Sequence, residues 1–469
     1  MSQRAALLFK TVAYVLTLLL VNAQEERAKQ TTAFRDKPFV TVWNAPTQDC
    51  KPKFSIILNL TSFDIVSSPN EGFYNQTLTI FYKERLGKYP YYEKQEAVNG
   101  GLPQNSSLND HLSEMDKDIK KYIRSHSMEG LAVIDWEEWR PLWIRNWQSK
   151  EIYRKNSKQL VSDKHPDWAD DQVSREAQLV FEQSGQKFMA ETLQKAKKIR
   201  PKTLWGYYLF PDCYNHDYKN NLVNYTGQCP DVEIARNDQL MWLWKNSTAI
   251  FPSIYLDPML RSSANGKKFV RSRVKEAMRV SNLHSANSSL PVFVYTRPTY
   301  VHSVDLLSEQ DLVTTVGETA ALGAAGIIFW GDVAYGKSNV NCRITKDYLD
   351  GALGRYLLNV TTATQECSRA LCGGNGRCLR KVSDSESYLH LNPASFQLQT
   401  LNATGNPKLV VTGKLSQADI LQFQDRFRCQ CYVGWFGSDC GTKANSAQHT
   451  LANGLTLFVA LLLSLMVRK

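Results

Sequence analysis

Two carboxylates stand two residues apart where an apolar stretch of the chain ends. Residues Leu131 to Ile134 are uniformly apolar, and Asp135 and Glu137 follow them on either side of Trp136. Because side chains alternate along a strand, both carboxylates would project to the same side, with Cα atoms about 6.5 Å apart at a rise of ~3.3 Å per residue. Two carboxyl groups at such a site cannot both ionise freely, so the pKa of one rises. This is how a protein keeps a general acid protonated near neutral pH.

Short apolar runs like this one recur through the chain between residues 37 and 360. They are rich in β-branched and aromatic residues and lie at 39–43, 78–82, 131–136, 204–210, 249–255, 291–295 and 326–330. Runs without alternation are typical of strands buried on both faces of a parallel sheet. Amphipathic segments at 107–123, where Ser107 could cap the start, and at 172–198 predict helices between them. We therefore expect an α/β fold, a distorted (β/α) TIM-like barrel, with a doubly wound open sheet as the alternative.

Aromatic residues lie at or near the ends of the other predicted strands. In both folds the reactive groups sit at the C-terminal ends of the strands, beside the two carboxylates. Aromatic rings stack on sugar faces, and their hydroxyl groups bond to sugar substituents. The pattern predicts a glycan cleft around the two acids, and the rings that would line it are Tyr82, Tyr208, Tyr255, Tyr295 and Trp330.

Both ends of the chain have the pattern of segments that are removed. Basic residues precede an apolar run at 11–21, which predicts a secretory signal peptide over residues 1–23. At the other end, small residues at 444–447 and a polar spacer precede 13 apolar residues at 455–467. This order predicts a GPI-attachment signal over 446–469, so that the mature product has no transmembrane helix. An uncleaved tail anchor is the alternative, because Arg468 and Lys469 after the apolar run are unusual for a GPI signal.

The glycosylation motifs and the cysteines agree with export. Ten cysteines in an oxidising compartment predict five disulfides rather than metal sites, and neither HExxH nor a paired CxxC motif is present. We expect no metal and no cofactor. The formal net charge of +11 is compatible with a polyanionic partner outside the cell but does not select one by itself. We expect no nucleic-acid partner. Eight Asn-x-Ser/Thr motifs predict N-glycosylation at Asn59, Asn75, Asn105, Asn224, Asn246, Asn287, Asn359 and Asn402.

The cysteines also divide the chain into a large domain at 37–360 and a small one at 367–440. The small domain resembles an EGF-like module interrupted by a 50-residue insert, 379–428, in which residues 408–412 predict a β excursion. The resemblance implies three disulfides, Cys367–Cys378, Cys372–Cys429 and Cys431–Cys440.

One loop matches a nucleotide-binding motif by its letters alone. Residues 331–338, GDVAYGKS, fit the P-loop pattern and follow a predicted strand. Export, and the lack of a second acidic strand for magnesium, favour a loop at the mouth of the barrel over a nucleotide site.

Five stretches of the chain resemble the animal hyaluronidases. The resemblance extends from about residue 37 to Cys440. Within the insert, residues 387–393 (SYLHLNP) are similar to the GPI-anchored, sperm-type members in particular. The five stretches are WNAP at 43–46, GGLPQN at 100–105, LAVIDWEEWRP at 131–141, LWGYY at 204–208 with PDC at 211–213, and PSIY at 252–255.

This resemblance implies a distorted (β/α) barrel that hydrolyses the β-1,4 bond after N-acetylglucosamine in hyaluronan, often with activity on chondroitin. Glu137 matches the general acid, and the acetamido oxygen of the substrate is the nucleophile, an exception to the two-carboxylate scheme. Asp135 matches the residue that orients the acetamido group. Tyr208 and Tyr255 match residues that position it, and Trp330 matches a ring of its pocket.

Further residues follow from the same resemblance. Tyr82, Asp212, Arg273 and Tyr295 fall on cleft positions, and Arg273 would face a glucuronate carboxylate. The family also implies the disulfides Cys50–Cys342 and Cys213–Cys229. A catalytically weak adhesion receptor for hyaluronan and a chondroitin-preferring hydrolase remain as alternatives. The expected location is the cell surface, through a GPI anchor, including the plasma or acrosomal membrane of sperm.

Overall fold

The structure is a computed structural model that describes residue 34 and residues 37–68, 74–283, 289–403 and 406–443. The predicted signal peptide and the predicted GPI-attachment signal lie outside the described residues, as do Asn287 and the side chain of Asn402.

Fifteen strands and twelve α-helices are described. The strands are β1 (Val40–Asn44), β2 (Ile65–Val66), β3 (Leu78–Tyr82), β4 (Tyr91–Glu93), β5 (Glu96–Val98), β6 (Gly130–Asp135), β7 (Thr203–Tyr207), β8 (Phe293–Thr296), β9 (Gly326–Trp330), β10 (Gly376–Arg380), β11 (Phe396–Ala403), β12 (Asn406–Gly413), β13 (Phe427–Cys431), β14 (Trp435–Phe436) and β15 (Thr442–Lys443). The helices are α1 (Cys50–Phe54), α2 (Leu108–Tyr122), α3 (Glu151–Lys164), α4 (Asp170–Ile199), α5 (Asp231–Gln239), α6 (Met241–Asn246), α7 (Ala264–Leu283), α8 (Glu309–Leu312), α9 (Glu318–Ala321), α10 (Asn339–Asp350), α11 (Ala352–Cys372) and α12 (Gln417–Arg426).

Two parallel sheets form most of a ring. One has the order β2-β1-β9-β8 and the other β3-β6-β7. Isolated parallel bridges, such as Tyr208 to Phe251 and Ser253 to Tyr295, join β7 to β8 through residues 250–253. On the opposite side the backbone N–H of Leu78 donates to Ser67 Oγ at 3.1 Å. Within the described ranges no strand ladder joins β2 to β3, so the predicted α/β fold with parallel strands is present and the ring is open at one seam.

Most predicted strands and both predicted helices lie within a few residues of their observed bounds. The N-cap of α2 is Ser107, whose side chain accepts from the backbone N–H of Asp110 at 3.2 Å. The run at 249–255 is the exception, because Pro252 has no N–H to donate and only isolated bridges form there. The two-residue strand β2 is too short to leave a pattern in the sequence.

The C-terminal part rests on the ring through one continuous helix. The 21-residue helix α11 runs through residues 361–366, which separate the two predicted domains. Beyond it β10 pairs with β13, and the insert contains the hairpin β11–β12, which covers the predicted β excursion. The carboxylate of Glu318, on the ring side, is fully buried and pairs with the equally buried Arg380 at 2.7 Å. This buried charge pair joins the module to the ring, and removing one partner would leave the other charge buried and unpaired.

All ten cysteines are paired in the structure. The pairs are those that the resemblances imply: Cys50–Cys342, Cys213–Cys229, Cys367–Cys378, Cys372–Cys429 and Cys431–Cys440.

We expect removal of the longest of these cross-links to destabilise the protein. The pair Cys50–Cys342 spans a sequence separation of 292 residues, so its loss frees the largest loop in the unfolded chain. The double variant Cys50→Ser/Cys342→Ser should lose about 2–5 kcal/mol of unfolding free energy in urea without reductant. Cys431→Ser/Cys440→Ser, which opens a separation of 9 residues, is the control. An equal or larger loss in the control would contradict the expectation.

Candidate active site

The two carboxylates open into a cleft at the C-terminal ends of the parallel strands. Asp135 is the last residue of β6, and Glu137 follows it by two. The cleft has a cavity volume of about 100 Å³. It is lined by Ile80, Val133, Asp135, Glu137, Tyr208, Tyr255, Tyr295 and Trp330. Six of the nine residues predicted for the site therefore meet in one cleft.

The alternation predicted for the strand end is present. Trp136 points into the core, where it is 4% exposed and stacks on Tyr89 with ring centroids 4.3 Å apart. Asp135 and Glu137 both face the cleft, but to different degrees. The Oδ1 atom of Asp135 is buried and has no hydrogen-bond partner in the described part of the chain. The side chain of Glu137 is 49% exposed.

The raised pKa predicted for this pair belongs to Asp135. Burial raises the pKa of Asp135 well above its usual range, and the negative charge of Glu137 adds to the rise. A hydrogen bond with Glu137 favours the protonated form as well. The pair therefore retains a proton to higher pH than an isolated carboxyl group would.

Three tyrosines and one tryptophan form the wall of the cleft. The ring of Tyr208 meets that of Tyr295 edge to face at 5.0 Å, and its hydroxyl donates to Ser253 Oγ at 3.4 Å. The rings of Tyr255 and Trp330 are stacked, with centroids 6.1 Å apart and planes inclined by 18°. Burial raises the pKa of Tyr208, Tyr255 and Tyr295, so these hydroxyl groups remain protonated.

Tyr82 lies beside this wall. It is directly opposite Asp135 in the pairing of β3 with β6, and its hydroxyl accepts from the indole N–H of Trp330 at 3.4 Å. Burial raises the pKa of Tyr82, and the charges of Asp135 and Glu137 contribute to the rise. Tyr82 therefore contacts Trp330 in the cleft wall, and burial and the negative charges of both carboxylates raise its pKa.

Arg273 is not placed as the sequence predicted. It is 6% exposed, and its guanidinium donates to Asn215 Oδ1 at 2.9 Å and to the carbonyl oxygen of Ser253 at 2.9 Å. It also pairs with Asp212 at 3.3 Å. With its donors bound inside the protein, Arg273 does not line the cleft. Instead it supports Ser253, the partner of Tyr208.

Asp212 belongs to the same buried network and not to the cleft. Its Oδ2 accepts from Arg145 at 2.9 Å, and its Oδ1 accepts from the backbone N–H groups of Cys213 and Tyr214. The pKa of Asp212 is lowered: burial opposes ionisation, but the charges of Arg273 and Arg145 outweigh it. Asp212 is thus an ionised side chain with a structural role at the turn after β7.

Two basic residues that the sequence analysis did not single out flank Glu137. Arg140 Nη1 donates to the carbonyl oxygen of Glu137 at 3.0 Å, and Nη2 lies 3.5 Å from its Oε2. Lys150 Nζ donates to the same carbonyl oxygen. Burial lowers the pKa of Lys150 to about 8, and the charge of Arg140 contributes. Arg140 lies three residues after Glu137, and this short spacing could have predicted their contact. Nothing in the sequence indicated that Lys150 would contact Glu137.

The described part of the chain has no group of three or more His, Cys, Asp or Glu side chains that could hold a metal ion. Nor does any helix in these ranges have the length and apolar character needed to cross a bilayer.

The chain is similar to known proteins over most of its length. A family model described as hyaluronidase matches residues 28–444. Hyaluronidase-2 from Homo sapiens is 53% identical over 431 residues, which cover 92% of this chain and 91% of the relative. Hyaluronidase-1 from Bitis arietans is 46% identical over 432 residues, which cover 92% of this chain and 96% of the relative. The narrower resemblance to sperm-type members stays a prediction.

Solved structures agree with these sequence matches. Bee venom hyaluronidase in complex with a hyaluronic acid tetramer has a TM-score of 0.58 and 32% sequence identity, over 68% of this chain and 98% of the other. A monoclinic crystal structure of bee venom hyaluronidase has a TM-score of 0.56 at the same identity. Over the 68% of its length that matches, the chain therefore has a fold similar to that of a solved hyaluronidase, and the chain belongs to the hyaluronidase family of glycoside hydrolases.

Proposed function

We propose that this protein is an endo-acting hydrolase of the β-1,4 N-acetylglucosaminide bonds of hyaluronan, with Glu137 as general acid and base. The observation that carries the proposal is the pairing of Asp135 with Glu137 in an aromatic cleft that contains no other carboxylate among its described lining residues. A family relative whose structure contains a hyaluronic acid tetramer supports the choice of substrate.

In the proposed mechanism the substrate supplies its own nucleophile. The acetamido oxygen forms a bond to the anomeric carbon as the bond to the leaving oxygen breaks, and Glu137 transfers its proton to that oxygen. Water then opens the cyclic intermediate and returns a proton to Glu137, so the anomeric configuration is retained. An intramolecular nucleophile benefits from a high effective molarity when it is held in line.

Asp135 and the aromatic wall would hold the acetamido group in line. When the proton that the coupled pair retains lies on Glu137, the buried carboxylate of Asp135 can accept from the acetamido N–H and stabilise the positive charge that develops there. The hydroxyl groups of Tyr208 and Tyr255, which burial keeps protonated, would donate to the acetamido oxygen. Trp330, stacked on Tyr255, would pack against the methyl group.

The decisive experiment follows the length of hyaluronan chains over time with purified protein lacking residues 1–23 and 446–469. Incubations at pH values from about 4 to 8 span the range in which a raised carboxyl pKa can act. Falling chain length supports the proposal. Unchanged length with retained binding favours the adhesion receptor, and faster cleavage of chondroitin in a parallel incubation identifies a chondroitin-preferring hydrolase.

We further propose attachment to the cell surface through a GPI anchor, with the sperm plasma or acrosomal membrane as one location. The small residues, polar spacer and apolar run at 444–467 support the anchor. A phospholipase specific for phosphatidylinositol should release the protein from expressing cells. Retention after this treatment would favour an uncleaved tail.

The predicted glycosylation sites differ in the folded protein. Asn224 is exposed, and we propose it as a site of N-glycosylation. In contrast, Asn359 Oδ1 accepts from the backbone N–H of Leu391 in the insert at 3.0 Å. A glycan at Asn359 would lie between α11 and the insert, so mass spectrometry should find higher occupancy at Asn224.

A further inference from the structure

The loop that matches the P-loop pattern, residues 331–338, lies next to the proposed active site. It follows β9, whose last residue is the cleft residue Trp330. Ser338, which a P-loop would use for magnesium, instead caps α10 by accepting from the backbone N–H of Asn341 at 3.1 Å. The loop is therefore expected to have a role other than nucleotide binding. The contacts of its one carboxylate, that of Asp332, indicate what this role is.

Asp332 forms an ion pair with Arg297, which follows β8. The distance from Arg297 Nη2 to Asp332 Oδ2 is 2.6 Å, and Oδ1 of Asp332 accepts from the backbone N–H of Ala334 at 2.9 Å. Both carboxylate oxygens are thus occupied. The side chain of Arg297 is 13% exposed and that of Asp332 is 46% exposed, so the contact is shielded from solvent on the arginine side only.

The loop is packed closely enough to keep this pair in place. A Cβ atom on Gly331 would approach the ring of Tyr335 to 2.6 Å, so only glycine permits that contact. The hydroxyl of Tyr335 in turn lies 2.7 Å from Thr299 Oγ1, on the segment that carries Arg297. The loop that carries Asp332 and the segment that carries Arg297 are therefore joined by a second contact.

Arg297 contacts the two stacked rings of the cleft wall. Its guanidinium carbon lies 5.1 Å from the ring centroid of Trp330 and 5.9 Å from that of Tyr255. Arg297 is absent from the residues that line the cleft. It can therefore act on a bound substrate only through the rings and through its charge.

We propose that Arg297 and Asp332 are positioning residues for the hydrolysis. Arg297 packs against the Tyr255–Trp330 ring pair, a contact that the flexible apolar side chain of methionine can replace. Asp332 cancels the guanidinium charge, which would otherwise oppose the positive charge that develops on the acetamido group. This inference rests on the proposed function, because only a reaction through a cationic intermediate is sensitive to an uncompensated cation beside the pocket.

The test separates the chemical step from binding. Asp332→Asn leaves Arg297 charged and unpaired, and we expect kcat on hyaluronan to fall about tenfold, equivalent to about 1.4 kcal/mol. Hyaluronan binding, measured in a Glu137→Gln background, should change less than about twofold, since the acetamido group is neutral in the ground state. The double variant Arg297→Met/Asp332→Asn, which removes both charges, should recover kcat to within about threefold of wild type.

The matched control is a second Arg–Asp pair with an aromatic contact. Arg261 pairs with Asp305 at 3.0 Å and lies 4.4 Å from the ring centroid of Tyr300, outside the cleft. Asp305→Asn should keep wild-type kcat. Asp332→Ser, which retains a side-chain oxygen for the Ala334 N–H, should reproduce the effect of Asp332→Asn and serves if that variant does not fold.

Three results would overturn the proposal. They are an unchanged kcat in both Asp332 variants, a double variant as slow as the single one, and a loss of binding that parallels the loss of kcat. Failure of the proposed function is a different result, because wild-type protein would then leave hyaluronan uncut.

Discussion

Glu137→Gln is expected to lower kcat for hyaluronan cleavage by about 10³-fold or more, the upper part of the range for general acid–base catalysis. Glutamine keeps the size of the side chain and can still contact Arg140, which lies 3.5 Å from the carboxylate. It has no proton to give to the leaving oxygen and cannot accept one from water. Binding of hyaluronan should therefore persist while cleavage stops, as measured by chain length and by equilibrium binding on the same preparation.

The adjacent acid provides the matched control. Glu138 pairs with Lys83 at 3.3 Å and does not line the cleft. Glu138→Gln should retain kcat within about threefold, the size of effect expected for a partly exposed ion pair (~1 kcal/mol or less). If Glu137→Gln cleaves at a rate near that of wild type, the assignment of the acid is wrong.

Asp135→Asn should lower kcat by about 10²–10³-fold, the size seen when one preorganised electrostatic group is removed. Asparagine retains the shape and cannot supply negative charge to the acetamido group. The two substitutions should be strongly non-additive, because both interrupt the same proton and charge arrangement. A double variant that loses the product of the two single effects would argue that Asp135 and Glu137 act separately.

The same substitution gives a pH signature in stability. The pKa of Asp135 is raised in the folded protein, so between about pH 3.9, the unfolded value, and the folded pKa the native state binds more protons than the unfolded chain. The stabilisation from this proton is complete below that window and is lost as pH rises through the folded pKa. Asp135→Asn cannot titrate. Urea unfolding at several pH values should show wild type losing stability relative to the variant as pH increases, and a constant difference would contradict the raised pKa.

Local sequence carried most of the information about the cleft. Asp135 and Glu137 follow a strand whose apolar residues need both faces buried, and alternation alone sends the two acids to one side. Tyr208, Tyr255 and Trp330 lie near the ends of other parallel strands for the same reason, and parallel order brings such ends together.

Arg273 and Asp212 were predicted to line the cleft and do not, and the reason is the same for both. Whether a charged side chain faces a cleft or an internal partner depends on groups far away in the chain. Arg273 bonds to Asn215 and Ser253, and Asp212 bonds to Arg145. The sequence separations between these partners follow no helix or strand periodicity and belong to no motif. The sequence therefore shows the charged residues but does not identify their partners.

The repeating pattern of apolar runs and turns was enough to predict the α/β class, six strands of the ring, the two long helices α2 and α4, and the residues that line the cleft, because these depend on neighbours a few residues apart. Only the tertiary structure decided where the ring of strands opens, that α11 runs unbroken into the module, which carboxyl group holds the raised pKa, and that Asp332 neutralises Arg297. Each of these is set by burial and by charges brought together from distant segments. Such contacts follow from the packing of the whole chain.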